Sequence, residues 1–384
     1  MTVELAITAL AAGGDGVGRD DGRVTFVPRT APGDVVRVKL VKATSSFARG
    51  ELVEVIEAGP SRVAPTCAYF EAGCGGCQWQ HVARAAQLAA KQAFVASALR
   101  HHAALRVHPI EDPGPPLGWR RRARFHVANG EVGLFAAASH RVIAIASCPQ
   151  LVPALDRALA AVIAAHPPSG ELALAIGHRG DVVVGVGGPW PAAAALVGRA
   201  GIVGVVASDA RHGEPIVEIE PGLRGGPWDF AQASELGNRA LVDRVLATVG
   251  PGPGRLLELY AGAGNFTRGL VAAGWDVTAS DAAAPAAPPA ARFEVGPVDR
   301  VLASLTAAYD AIVLDPPRSG AADAIAGIVR LAAPRVIYVS CDPATLARDA
   351  GKLVAAGYVA RDAWPVDLMS HTAHVEVVLL LERA

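Results

Sequence analysis

The chain has 384 residues, 52% of them hydrophobic and only 5% aromatic, and its 35 basic and 36 acidic side chains leave a formal net charge of −1. That length points to two or three domains, and that apolar content excludes a disordered chain. The charge balance excludes a uniformly basic nucleic-acid binder but leaves room for a local basic patch. No apolar run is long enough to span a bilayer, and no charged segment leads into an apolar run near the N-terminus, so a cytoplasmic protein with no membrane partner is expected.

Residues 1–58 read as four or five short strands, among them Val3–Leu5, Val24–Val27, Val35–Leu40 and Glu51–Ile56, separated by turn signals such as Gly13-Gly14-Asp15-Gly16. So many strands in so short a segment predict a small OB-like β-barrel.

Residues 59–225 form the expected α+β central domain. It opens with three of the five cysteines, Cys67, Cys74 and Cys77, followed by Cys148; Cys341 stands apart. An odd count in a reducing compartment is a poor disulfide framework, and the natural partition is four plus one. Four thiolates can close either a zinc or an iron–sulfur site. Gly75 and Gly76 are expected to let the backbone turn so that Cys74 and Cys77 face one centre. A helix is predicted over His81–Phe94. Residues 84–126 carry eight Lys or Arg against Glu111 and Asp112, a net of +6. The core Trp119-Arg120-Arg121-Arg122-Ala123-Arg124-Phe125 interleaves aromatics with Arg, as phosphate contact plus base stacking requires, although a merely solvated charged face has the same composition. Gly-bounded β-like runs with one helix near 151–165 complete the segment.

Residues 226–384 alternate strands and helices, which predicts a parallel, doubly wound sheet of Rossmann-like topology. The strand Arg255–Tyr260 runs into Ala261-Gly262-Ala263-Gly264-Asn265, a loop whose glycines let the backbone approach a ligand. Asp281 follows at the end of the next strand, where a carboxylate can accept both ribose hydroxyls, and Glu258 ends the first. These features resemble the S-adenosylmethionine site of class I methyltransferases. Asp315-Pro316-Pro317-Arg318 is a rigid loop that aims a carboxylate. Ser340-Cys341-Asp342-Pro343 sets a thiol just before a helix N-terminus, a position expected to favour thiolate. His374-Val375-Glu376 opens the last strand.

Taken together with Cys77-Gln78-Trp79-Gln80-His81 and Phe230-Ala231-Gln232, these motifs are similar over nearly the whole length to the RNA uracil-5-methyltransferases, in particular those with a TRAM barrel and an iron–sulfur cluster. The resemblance implies methylation of uracil carbon 5 in structured RNA. It implies Cys341 as nucleophile, Glu376 as base, and Gln232, Tyr260, Gly262, Gly264, Asn265, Asp281 and Asp315 at the S-adenosylmethionine site. It also implies Cys67, Cys74, Cys77 and Cys148 as [4Fe–4S] ligands. Ribosomal RNA is the expected partner ahead of transfer RNA, through Arg120, Arg121, Arg122, Arg124 and the barrel, with no obligate protein partner. A catalytically silent RNA-binding or assembly protein is the alternative of a different class. The chain departs from the family in the Pro-rich run 282–291, where relatives carry a longer helical crossover.

Overall fold

The computed structural model describes residues 2–285 and 289–384; positions 286–288 of the Pro-rich run lie outside the described residues. The N-terminal strands close into a barrel in the order Thr2–Leu10, Gly16–Asp20, Arg23–Val27, Phe47–Glu57, Val35–Ala43. Alternation puts Leu5, Ile7, Val27, Val36 and Val38 inside as a small core. The strand Gly16–Asp20 lies in a glycine-rich stretch read in the sequence mainly as a turn. Gly18 fits there because a side chain would meet the Ala6 carbonyl 2.8 Å away.

The central domain is built on a sheet of seven strands among the described residues. Their order is Arg211–Gly213, Ile202–Val206, Val182–Val186, Gly170–Ile176, Arg122–Ala128, Glu131–Phe135, Val142–Ala144. The helix Pro153–Ala164 covers one face with Leu155, Leu159 and Val162, while Val217 packs on Ala175 and Val183 of the other. With both faces covered, Val182–Val186 is buried at every position.

The C-terminal sheet has eight strands among the described residues, in the order Arg292–Val295, Asp276–Asp281, Arg255–Leu259, Ala311–Leu314, Arg335–Ser340, Glu376–Arg383, Tyr358–Val366, Arg106–Val107. The first five are parallel, as the alternation of strands and helices predicts. The expectation of an all-parallel sheet does not hold beyond them: Glu376–Arg383 runs antiparallel to both neighbours. That reversal brings the start of one strand beside the end of another, which shapes the site.

The edge strand Arg106–Val107 and the helix Arg84–Ala98 come from the segment assigned in the sequence to the central domain. Val95 and Leu99 of that helical region pack in one core with Leu257, Leu353 and Ala363, so residues 84–107 complete the C-terminal layer. No described helix is long and apolar enough to cross a membrane.

Candidate active site

Parallel strands deliver their C-terminal ends to one edge of a sheet, where ligands of open α/β folds bind. Leu259 pairs with Leu314, and Leu314 with Tyr338. Tyr260, Asp315 and Cys341 therefore emerge side by side within a residue or two. Ser340 pairs antiparallel with Val377, so the next step in register sets Cys341 opposite Glu376. The thiol and the carboxyl meet because the last strand is reversed.

The electrostatics of this corner are acidic and dry. Burial first, then the neighbouring Asp315 charge, pushes the Glu376 carboxyl up to about 8, while Arg318 pulls the other way. Burial raises Asp315 to about 7. The Cys341 thiol is pushed up to about 11 by burial and by the Glu376 and Asp315 charges, with Arg318 opposing. This corrects the expectation that the helix N-terminus favours thiolate. The first turn is already capped by Asp342, whose carboxylate accepts the N–H groups of Ala344 and Thr345 at 2.9 and 2.8 Å. Arg318 is instead the cation that acts on the thiol. Its Nη2 donates to His374 Nε2 at 3.3 Å. Burial, followed by the Arg318 charge, lowers His374 to about 4, so the ring is neutral and can accept that bond. His374 thus supports Arg318.

Around the glycine loop, Tyr260 sits at φ 60, a conformation L side chains adopt at a cost and one that clusters at functional sites. Gly262 and Gly264 share the left-handed region at φ 56 and 90. Gly262 N–H donates to Asp281 Oδ2 at 2.8 Å, tying loop to carboxylate. A Cβ on Gly264 would lie 3.1 Å from the Pro289 ring, so part of the Pro-rich run rests on the loop. Glu258 is buried; Thr267 donates to its Oε2 at 2.6 Å while Oε1 has no partner among the described residues, and burial raises it to about 8.

Asn265 is held by a partner that the sequence did not suggest. Its side chain is engaged with Asn238, each amide donating to the other's oxygen. Asn238 also donates to Glu220 Oε1 at 3.0 Å, and Glu220 is ion-paired with buried Arg121. Arg121 in turn donates through Nε to the backbone carbonyl of Gln232 at 3.2 Å. Neither Glu220 nor Asn238 stood out in the sequence. They carry no motif, and only the fold brings them to the loop.

The basic core is a correction at Arg121. Arg121 is buried and internally paired. Arg122 donates to the carbonyls of Gly226 and Asp229, and Arg124 lies over the Trp228 ring. Arg120 stacks on Trp119 and lines the cysteine cavity. The closeness of residues 219–232 ties Arg121 and Arg122 into the domain, while Arg124 stays exposed. A second surface that pairs aromatics with exposed cations is on the barrel. There Phe26 and Phe47 meet edge-on at 6.2 Å, with Arg49 over one ring and Lys42 over the other.

Cys67, Cys74, Cys77 and Cys148 line one cavity of about 80 Å³. Cys77 Sγ accepts from Gln150 Nε2 at 3.4 Å and Gln80 Nε2 at 3.6 Å. Arg120, which has no ion pair among the described residues, faces Cys77 and Cys148. Among the described residues, no three His, Cys, Asp or Glu side chains are gathered as a metal-ion site. Gly75 and Gly76 lie in the expected turn, and close packing adds a second reason for glycine there. A Cβ on them would meet the Phe135 carbonyl at 2.8 Å and Leu134 Cδ1 at 2.7 Å.

A Rossmann-like sheet with a glycine loop, Asp281 at the end of the next strand and a thiol–carboxyl pair at one edge is the fold of a class I methyltransferase. Residues 1–53 match the TRAM domain and residues 301–384 the tRNA (Uracil-5-)-methyltransferase family. The 23S rRNA (uracil(1939)-C(5))-methyltransferase RlmD of Halomonas elongata is 34% identical, over 99% of this chain and 89% of that one. Its counterpart in Pseudomonas putida is also 34% identical, over 98% and 93%. Among solved structures, the Pyrococcus abyssi tRNA (uracil-54, C5)-methyltransferase in complex with S-adenosyl-L-homocysteine superposes with a TM-score of 0.76 at 20% identity, covering 99% of this chain and all of that one. The chain belongs to the RNA uracil-C5 methyltransferase family.

Proposed function

We propose that this enzyme methylates carbon 5 of a uracil in 23S ribosomal RNA through a covalent adduct at Cys341. The observation that carries the reading is the register that sets Cys341 against Glu376 beside the glycine loop. The two full-length relatives at 34% identity, both named for 23S rRNA, favour that RNA over tRNA.

Carbon 5 of uracil is a weak nucleophile. Addition of the Cys341 sulfur to carbon 6 turns the ring into an enolate and makes carbon 5 nucleophilic. S-adenosylmethionine, when bound, supplies the methyl group as an electrophilic sulfonium. Tyr260, Gly262, Gly264 and Asp281 would hold it, with Gln232, Asn265 and Asp315 at the border. Glu376 then removes the carbon 5 proton, the carbon 5–carbon 6 double bond re-forms, and the Cys341 sulfur leaves as thiolate. Arg318 stabilises sulfur anion on both the way in and the way out.

The same reading makes the cysteine cavity a [4Fe–4S] site. Amide N–H groups on Cys77 and the unpaired Arg120 beside two thiols suit an anionic thiolate-bound group. Cys67, Cys74, Cys77 and Cys148 would hold it through their thiolates. For RNA contact, the Phe26–Phe47 pair with Lys42 and Arg49 offers stacking and charge, and Phe230, 81% exposed, is a free ring two residues from Gln232.

The test incubates the full chain with labelled S-adenosylmethionine and either unmodified 23S rRNA or tRNA, followed by nucleoside mass spectrometry. 5-Methyluridine in 23S rRNA alone supports the proposal, label in tRNA alone moves the substrate, and label in neither favours the silent binding protein. Iron and acid-labile sulfide content of protein purified without air tests the cluster.

A further inference from the structure

The segment Asp367–His374, which leads into Glu376, is held in an unusual conformation. His371 has φ 61, a left-handed backbone that persists in a non-glycine residue only where its surroundings over-determine it. Those surroundings come from far along the chain. The N–H groups of Gln78 and Trp79 both donate to the His371 carbonyl, at 2.8 and 3.0 Å. His371 N–H donates to Gln87 Oε1 at 2.9 Å, and Gln87 Nε2 lies 3.1 Å from His371 Nδ1. Gln78 closes the arrangement: its Oε1 accepts from Ala373 N–H at 2.8 Å, while its Nε2 donates to the Gly13 carbonyl of the barrel at 3.2 Å. Upstream, buried Lys91 fixes the start of the loop, donating to Asp367 Oδ1 at 2.6 Å and the Met369 carbonyl at 3.0 Å.

From this we infer that Gln78 is a positioning residue for the base: through Ala373 and His371 it latches the loop that aims Glu376 and His374. It stands next to Cys77 in the chain, so one short segment joins the cysteine cavity, the barrel turn and the catalytic strand. The latch acts on the late step of the reaction. The nucleophile Cys341 rises from a different strand, and none of the latch bonds reaches it. Loosening the latch displaces Glu376 directly and touches addition only through His374 and its bond to Arg318, so proton removal suffers most. The enzyme is then caught as a methylated RNA joined to Cys341.

This inference rests on the covalent reading given above, and the experiment separates the two. Glu376→Gln, Gln78→Met and Gln78→Glu variants of the full chain are incubated with S-adenosylmethionine and unmodified 23S rRNA, and each is assayed for turnover and for protein–RNA adduct that survives detergent electrophoresis. Methionine keeps the shape of glutamine and removes both polar ends; glutamate keeps the acceptor for Ala373 N–H and loses the tie to Gly13. Gln78→Met is expected to lower kcat about 100-fold, the scale of a misplaced catalytic group, and to accumulate adduct, as Glu376→Gln does. Gln78→Glu is expected to turn over within a few-fold of the parent. Binding of S-adenosylmethionine, measured by calorimetry, checks that each variant is folded. Adduct in Glu376→Gln but not in a folded Gln78→Met overturns the positioning role. Equal loss in Gln78→Met and Gln78→Glu also overturns it, since the tie to the barrel would then be what matters. Absence of adduct from Glu376→Gln itself overturns the covalent reading, and with it this inference.

Discussion

The side chains of Asn238 and Asn265 exchange two hydrogen bonds, Asn265 Nδ2 donating to Asn238 Oδ1 at 2.8 Å and Asn238 Nδ2 to Asn265 Oδ1 at 3.0 Å. The pair joins the helix Glu235–Val249 to the loop that follows Leu259. Asn265 thereby fixes the shape of the loop that the proposed function assigns to S-adenosylmethionine. Replacing Asn238 with Leu leaves the Asn265 amide without its partner, at a cost of about 1–3 kcal/mol. We expect roughly a tenfold weaker affinity for S-adenosylmethionine with RNA affinity unchanged. Calorimetric titration of the ligand checks this; an unchanged Kd would remove Asn265 from the site.

Arg121 and the barrel patch make opposite predictions. Arg121 is buried against Glu220, so Arg121→Ala leaves a carboxylate in a closed setting and destabilises the fold by about 3–5 kcal/mol. It leaves the salt dependence of RNA binding as it was. Lys42→Ala and Arg49→Ala, at exposed positions, are each expected to lower the slope of log affinity against log salt by about 1, with little change in melting temperature. Binding titrations at several salt concentrations, paired with thermal melts, distinguish the two classes.

The rate of methyl transfer should climb with pH. Glu376 must be ionised to act as base and sits at about 8; Cys341 must be ionised to add to the ring and sits at about 11. Methyl transfer needs Cys341 ionised, so the logarithm of its single-turnover rate is expected to rise with a slope of about 1 up to about pH 11, whereas release of the methylated RNA, which needs Glu376 ionised, is expected to climb only up to about pH 8. A methyl-transfer profile flat from about pH 7 to about pH 9 would show that substrate binding resets the thiol.

Stability should move the other way. The Glu376 carboxyl is raised from 4.5 to about 8 in the folded chain. Between those values the folded state holds a proton that the unfolded state has released, so the contribution of this group falls as pH rises through the window. Glu376→Gln removes the loss. It is expected to change the melting temperature little near pH 4.5 and to raise it clearly near pH 9. A shift of equal size at both ends would mean that packing, not charge, sets the effect.

Much of the frame was legible in the sequence because it is local. Continuous apolar runs mark Val182–Val186 and Ala311–Leu314, and the glycine loop and the Asp-Pro-Pro-Arg and Ser-Cys-Asp-Pro turns name their own positions. The misreadings share one cause, contacts between residues distant in the chain. Arg121 reads as surface charge until Glu220 is seen beside it. Cys341 reads as a helix-activated thiol until Asp342 is seen to take the cap and Glu376 to face the sulfur. The edge strand Arg106–Val107 is two residues long and carries no pattern of its own; its partner Tyr358–Val366 supplies the reason it is extended.

That edge strand also governs how the protein comes into being. Arg106–Val107 and the helix before it leave the ribosome some 250 residues ahead of Tyr358–Val366, and the final strand must slide between Arg335–Ser340 and Tyr358–Val366 rather than add to an edge. During synthesis the apolar side of Arg84–Ala98 therefore waits without its cover while the barrel and central sheet form. The last stretch of chain both completes the hydrophobic layer and delivers Glu376, so a polypeptide cut short before Tyr358 lacks the carboxyl that the proposed mechanism uses as base and leaves part of that helix uncovered at once.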